Sequence, residues 1–303
     1  MDVFRISGGN QLIGTVTASG SKNSSLPLFA ACLLSEEESI LENVPELSDI
    51  QFMAEIIRDL GAEVEKLDGH SWRINPKAIV HYAPYELVRK MRASICLLGP
   101  LAARLGRAEI PMPGGCVIGN RPIDLHIKAL EGLSAQVELK GGIVRIDASN
   151  LRGGSLFLGG RHGSSVTGTA NAIMAASLAS GITTIEGSAC EPEIVDLCEM
   201  LLKMGAQITG IGSHRLSIEG VDRLHGCRHH VIPDRIETAT YAIAAGITNG
   251  EILIKGCQTE HLGAFANVMQ ECGIELSNQA KSSLLIKVSS KGLNPFEVIT
   301  LPY

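Results

Sequence analysis

The sequence predicts an α+β fold assembled from repeated units, and three observations carry that expectation. One pattern of helix, turn and strand recurs four times along the chain. The recurrences lie roughly 70 residues apart, longer than the usual solenoid period and suited to a compact unit of two helices and about four strands. Finally, 45% of the 303 residues are hydrophobic, enough for a sizeable core and for two domains.

The first half of each copy has an acidic start, an amphipathic helix, a small-residue turn and a strand ending in isoleucine. Residues 49–74 form the first, around Leu60-Gly61-Ala62, and residues 124–146 the second, around Leu133-Ser134-Ala135. Residues 193–218 form the third, around Met204-Gly205-Ala206, and residues 260–286 the fourth, around Cys272-Gly273-Ile274. Their apolar residues fall at helical spacing, as with Ile194, Leu197, Leu201 and Leu202. The second half is a small-residue helix, a turn and a strand, at 27–44, 93–112, 170–188 and 238–256. Glu36, Gly106, Gly181 and Gly250 hold equivalent turn positions, ahead of Ile40, Ile110, Ile185 and Ile254. Residues 170–178 carry almost no charge, so the alanine-rich helices are expected to be buried.

Copies one to three are expected to close one domain, residues 22–232, around a pseudo-symmetric axis. Copy four is expected to begin a second, residues 1–21 plus 233–303, with 228–233 as the crossover. A single copy leaves its apolar face without partners, so this second domain is expected to be incomplete.

Charge and cysteine usage narrow the function. Lys and Arg number 26 against 32 Asp and Glu, a formal net charge of -6. A general nucleic-acid binder would be basic, so no nucleic acid is expected as a partner. An anionic small substrate remains compatible, because a local basic pocket can oppose the global sign. Eight cysteines are scattered without any C-x-x-C, which fits a reduced, cytoplasmic compartment better than a disulfide scaffold. No run approaches a membrane span, and Met-Asp-Val-Phe-Arg-Ile at the start has no signal-peptide core.

Six segments invite a chemical reading. In residues 111–126, Cys116 follows Gly114-Gly115 and precedes Arg121 by five positions, within a loop marked by Pro113 and Gly119. A loop thiol near arginine can act as acid, base or nucleophile; a half-buried structural thiol is the alternative. Ser19-Gly20-Ser21-Lys22-Asn23-Ser24-Ser25 is a turn leading into a helix from Pro27, suited to an anion at a helix start or to plain serine capping. Residues 159–169, Gly-Gly-Arg-His-Gly-Ser-Ser-Val-Thr-Gly-Thr, repeat that design and its ambiguity. Arg92 opens an apolar helix, where its charge opposes the helix dipole and suggests an anionic partner. Asp234 and Glu237 read as a capping-box variant. His225, Cys227, His229 and His230 invite a metal reading, but only two side chains on alternate positions could face one way and no second ligand cluster of known spacing accompanies them. Neither a metal nor a cofactor is expected.

Taken together these segments resemble the UDP-N-acetylglucosamine 1-carboxyvinyltransferases of the enolpyruvyltransferase family. The resemblance rests on Ser-Gly-Ser-Lys-Asn at 19–23, Met-Arg-Ala-Ser at 91–94 and Pro-Gly-Gly-Cys-Val-Ile-Gly-Asn-Arg-Pro-Ile-Asp-Leu-His at 113–126. It continues through Glu-Pro-Glu-Ile-Val-Asp at 191–196 and Pro-Asp-Arg-Ile-Glu-Thr at 233–238, in order along the whole chain. It implies the enolpyruvyltransferase fold, an inside-out α/β barrel of repeated βαβαββ units in two domains. It also implies transfer of the enolpyruvyl group of phosphoenolpyruvate to the 3′-hydroxyl of UDP-N-acetylglucosamine, with loss of phosphate. That is the first committed step of peptidoglycan synthesis, and needs no membrane insertion.

By the same resemblance Cys116 matches the proton donor, which is also the thiol alkylated by fosfomycin. Lys22, Asn23, Arg92 and Arg121 match residues around phosphoenolpyruvate and the sugar nucleotide. Arg121, Pro122, Ile123, Asp124 and Leu125 match the stretch touching the UDP moiety, and Ser164, Ser165, Val166 and Thr167 the diphosphate loop, whose details differ here. The family extends well beyond the position of Tyr303, and that part supplies an aspartate at the sugar hydroxyl and arginines that close on phosphoenolpyruvate. The expectation is therefore of a C-terminally truncated chain with little activity alone. A 3-phosphoshikimate 1-carboxyvinyltransferase-like enzyme and a non-catalytic UDP-sugar-binding module are the alternatives. The oligomeric state is left open.

Overall fold

The computed structural model describes residues 3–114, 122–160, 163–290, 292–299 and 303. The chain divides into two compact units, one of Met1–Gly20 with Pro233–Leu301, the other of Ser21–Ile232 with Pro302–Tyr303.

Three helices rich in small residues form the centre of the larger unit. They are Lys22–Ala31, Leu98–Leu105 (entered through a 3-10 turn, Arg92–Leu97) and Val166–Ala176. Leu28, Phe29, Leu98, Leu101, Ala172 and Ile173 have no exposed surface. Their side chains are small where they cross. A methyl group added to Gly99 would stand 2.6 Å from the carbonyl oxygen of Asn171, so only glycine lets these two helices meet so closely.

Three amphipathic helices pack around this centre. Ser48–Asp59 lies on Lys22–Ala31, Asp124–Gly132 on Val166–Ala176, and Pro192–Lys203 on both. Each buries one stripe, such as Ile194, Leu197, Cys198 and Leu201, at the spacing expected of a half-buried helix.

Three sheets form the outside. One orders Arg228–His230, Ser39–Glu42, Trp72–Asn75 and Glu63–Lys66. A second orders Arg107–Pro111, Ile143–Asp147 and Gln136–Lys140. A parallel bridge from Tyr82 to Glu109 stands where the other sheets have a fourth strand. The third orders Gln207–Thr209, Arg215–Glu219, Ile182–Glu186 and Ser155–Phe157. Burial alternates along their strands, as in Arg215–Glu219, where Leu216 and Ile218 point inward. Helices inside and sheets outside give the inside-out arrangement. The sheets remain separate, so this layering is not a single closed hydrogen-bonded barrel. The first sheet joins distant ends of the unit, since Arg228–His230 runs parallel to Ser39–Glu42.

The smaller unit repeats the plan once. Its sheet orders Ile13–Thr17, Glu251–Lys255, Ser283–Val288 and Ile274–Ala280. Ile13–Thr17 is parallel to Glu251–Lys255, and the other pairs are antiparallel. The helices Arg235–Ile247 and Gly263–Glu271 pack on it around Ala242, Ala245, Ile254, Met269 and Ile286. Arg235–Ile247 holds the place of the central helices but is not enclosed: Ile236, Ile243 and Ile247 are 50%, 46% and 72% exposed. Full burial of every alanine-rich helix, expected from composition, therefore fails for this one. No helix among the described residues is long and apolar enough to cross a membrane.

Candidate functional site

The Ser19–Ser25 segment is helical earlier than its sequence suggests. The helix begins at Lys22, not at Pro27. Ser21 caps it, its Oγ accepting from the Ser24 N–H at 3.2 Å. Pro27 lies inside and has no N–H to offer the carbonyl of Asn23. Lys22 and Asn23 thus occupy the first turn, with Asn23 exposed and Lys22 Nζ 3.2 Å from Asp49 Oδ2.

A buried carboxylate fixes this turn. Asp196, the last residue of Glu-Pro-Glu-Ile-Val-Asp, accepts from Ser24 Oγ, from the Ile232 N–H at 3.3 Å and from His229 Nε2 at 2.8 Å. Lys203 Nζ donates to His229 Nδ1 at 3.0 Å, so the imidazole proton sits on Nε2 and points at the carboxylate. The histidines of the 225–230 segment are accordingly dispersed. His225 Nδ1 lies 3.1 Å from Glu37, His230 Nδ1 4.0 Å from Glu42, and His229 is buried on Asp196.

Arg92 opens a 3-10 turn rather than an α-helix, which weakens the dipole argument made for it, since that rests on an α-helical terminus. Its Nη2 lies 3.5 Å from the carbonyl oxygen of Pro122. That contact joins it to the next stretch, where Ile123 is buried, Asp124 starts a helix and Leu125 is half-buried. Leu125 faces the glycine-rich hairpin: a methyl on Gly160 would sit 3.0 Å from its Cδ1, and one on Gly168 3.5 Å from its Cβ. Gly163–Ser164 pairs with Gly159–Gly160 in that hairpin. Ser165 then caps Val166–Ala176 by accepting from the Gly168 N–H at 3.1 Å. Both serine-rich segments therefore do cap helices, as the simpler reading held. Arg92, Pro122 to Leu125 and Ser164 to Thr167 form one neighbourhood. Cys116 and Arg121 lie outside the described residues, as do Arg161 and His162 of the hairpin.

Two residues of this neighbourhood were not singled out from sequence. His126 is buried, with Nδ1 2.7 Å from Asn171 Nδ2 and Nε2 3.1 Å from Thr167 Oγ1. Asn171 also donates to the Ile95 carbonyl at 2.9 Å and accepts from the Gly99 N–H at 2.7 Å. The available signal was a single amide inside an otherwise apolar, alanine-rich run. Burial, with the positive charge of Arg92 adding, lowers the His126 pKa to about 4, while Asp124 opposes the shift.

The described cysteines are thiols in apolar or half-buried settings. Burial pushes Cys96 and Cys198 up to about 12 and raises Cys32, Cys190, Cys227 and Cys257. None of these six is activated. At the other end of the smaller unit's helix, Asp234 Oδ1 accepts from the N–H groups of Ile236 and Glu237. Glu237 departs from a capping box by reaching back to the Ser19 N–H at 2.6 Å.

Comparison with known proteins places this architecture. The family described as EPSP synthase (3-phosphoshikimate 1-carboxyvinyltransferase) matches residues 6–303, and the chain belongs to that family of carboxyvinyl-transferring enzymes. Proteins named UDP-N-acetylglucosamine 1-carboxyvinyltransferase are similar over the whole chain. That of Methylacidiphilum infernorum (isolate V4) is 50% identical, covering 100% of this chain and 71% of the relative. That of Akkermansia muciniphila is 45% identical with the same coverage. Among solved structures, the enolpyruvyl transferase NikO from Streptomyces tendae superposes with a TM-score of 0.88 at 22% identity, over 97% of this chain and 70% of that one. EPSP synthase from Acinetobacter baumannii gives 0.72 at 19% identity, over 93% and 66%. These likenesses establish the enolpyruvyltransferase fold.

Proposed function

We propose that this chain transfers the enolpyruvyl group of phosphoenolpyruvate to the 3′-hydroxyl of UDP-N-acetylglucosamine, releasing phosphate, in the cytoplasm and in the service of peptidoglycan synthesis. The observation that carries the reading is 50% identity, over the entire chain, to a UDP-N-acetylglucosamine 1-carboxyvinyltransferase. The Gly-Gly-Cys loop and the Arg-Pro-Ile-Asp-Leu-His stretch argue in the same direction, against shikimate 3-phosphate as acceptor.

In the proposed reaction Cys116 delivers a proton to carbon 3 of the enol, and carbon 2 becomes electrophilic. The sugar hydroxyl adds to carbon 2 as its own proton is removed, giving a tetrahedral ketal. Loss of a proton from carbon 3 then restores the double bond and expels phosphate. Lys22 and Arg92, with Arg121, offset the phosphate and carboxylate charge that changes along this path. Asn23 contributes a polar contact from the same first turn as Lys22. Pro122, Ile123, Asp124 and Leu125 line the uridine side, and Ser164, Ser165, Val166 and Thr167 the diphosphate. The neighbourhood formed by Arg92, Pro122 to Leu125 and the hairpin supports this grouping. The chain spans 71% of its relative.

Calorimetry and a coupled phosphate-release assay test the reading. UDP-N-acetylglucosamine should bind and shikimate 3-phosphate should not, with any phosphate release requiring UDP-N-acetylglucosamine and lost in Cys116→Ala. Binding of shikimate 3-phosphate alone would reverse the acceptor.

A further inference from the structure

The hydrogen-bond chain from Asn171 to Thr167 has a fixed direction. Asn171 Oδ1 accepts from the Gly99 N–H and its Nδ2 donates to the Ile95 carbonyl. A backbone donor and a backbone acceptor together set the amide orientation, which spacing alone would leave ambiguous. The second Nδ2 hydrogen points to His126 Nδ1 at 2.7 Å, so that nitrogen must be an acceptor. The ring proton therefore sits on Nε2 and is donated to Thr167 Oγ1 at 3.1 Å. With its oxygen engaged as acceptor, the Thr167 hydroxyl keeps its own hydrogen, and among the described residues its side chain makes no other hydrogen bond.

We propose that Asn171 and His126 are positioning residues that hold the Thr167 hydroxyl as a hydrogen-bond donor toward the diphosphate of the sugar nucleotide. The inference rests on the functional reading above, since it takes the diphosphate as the acceptor. A hydroxyl can turn either way in water; here a backbone-locked amide settles its polarity two side chains away, before the ligand arrives. An anion gains from a donor already aimed and loses to a lone pair.

Two measurements on the full chain test it. Long-range proton–nitrogen NMR of labelled histidines at pH 7 should find His126 neutral with the proton on Nε2; the Nδ1–H tautomer or an imidazolium would refute the chain of donors. Calorimetry with UDP-N-acetylglucosamine should show Thr167→Val weakening binding about tenfold, as expected for a hydrogen bond to a charged group. His126→Gln, whose amide can accept from Asn171 and donate to Thr167, should stay within about threefold of the parent. His126→Met should weaken binding in the parent yet add nothing further in the Thr167→Val background. Equal losses in both backgrounds would mean a merely structural histidine and overturn the proposal. Should the unaltered chain bind no UDP-N-acetylglucosamine while His126 keeps the Nε2 proton, the functional reading fails, and the diphosphate assignment with it.

Discussion

His126 carries a consequence for stability as well as for recognition. Its proton affinity is lowered chiefly by burial, to a pKa of about 4 against 6.5. Between those values the unfolded chain binds a proton that the folded chain refuses. Stability is therefore full above about pH 6.5 and falls as pH is lowered toward 4, by on the order of 3 kcal/mol for this one group. Urea unfolding of the parent and of His126→Gln across pH 4 to 8 isolates the effect. The stability difference between the two should move steeply below pH 6.5 and be flat above it; a constant difference would show that burial does not set this pKa. The residue was legible only as the end of a motif. That its ring is locked by Asn171 depends on residues far apart in the chain, a relation that periodicity cannot carry. The same holds for Asp196, read as part of a matching segment and found to be the acceptor that fixes the Lys22 turn.

The elements themselves were largely readable, because amphipathic spacing and small-residue turns recur in every copy. The misreadings have local causes. Pro27 suggested a helix start, whereas the Ser21 cap outweighs it and places the proline inside the helix. At Arg92 the first turn tightens to 3-10 geometry, a distinction no propensity records. What composition could not foretell is how closely the central helices approach. Gly99 makes that approach testable. Alanine is the better helix former by about 1 kcal/mol, but its methyl would stand 2.6 Å from the Asn171 carbonyl oxygen and 2.8 Å from its Oδ1. Gly99→Ala should therefore cost about 1–3 kcal/mol of stability, as other overpacked cores do, and should disturb the Asn171–His126 pair in NMR spectra. An unchanged or raised unfolding midpoint would mean the helices separate without penalty.

At the scale of the molecule, each unit has its own apolar core: one built from residues between Leu26 and Val231, the other from Ala18 and residues between Ala242 and Ile286. The larger unit has its central helices enclosed; the smaller has a helix with one apolar side in solvent. Residues 21–232 expressed alone should thus unfold in one cooperative transition, followed by circular dichroism in urea. A broad, non-cooperative loss of structure would show that this unit depends on the rest of the chain.

The parallel pairing of Ile13–Thr17 with Glu251–Lys255 also sets a timetable for biosynthesis. Ile13–Thr17 leaves the ribosome well before its partner, Glu251–Lys255. At about 5–20 residues per second, it waits on the order of ten to fifty seconds, while the whole intervening unit is made and can fold. During that interval Ile13–Thr17 is a nascent edge without a neighbour, the kind of segment that chaperones shield. The order of strands in one small sheet thus assigns Ile13–Thr17 a period of vulnerability that the finished fold conceals.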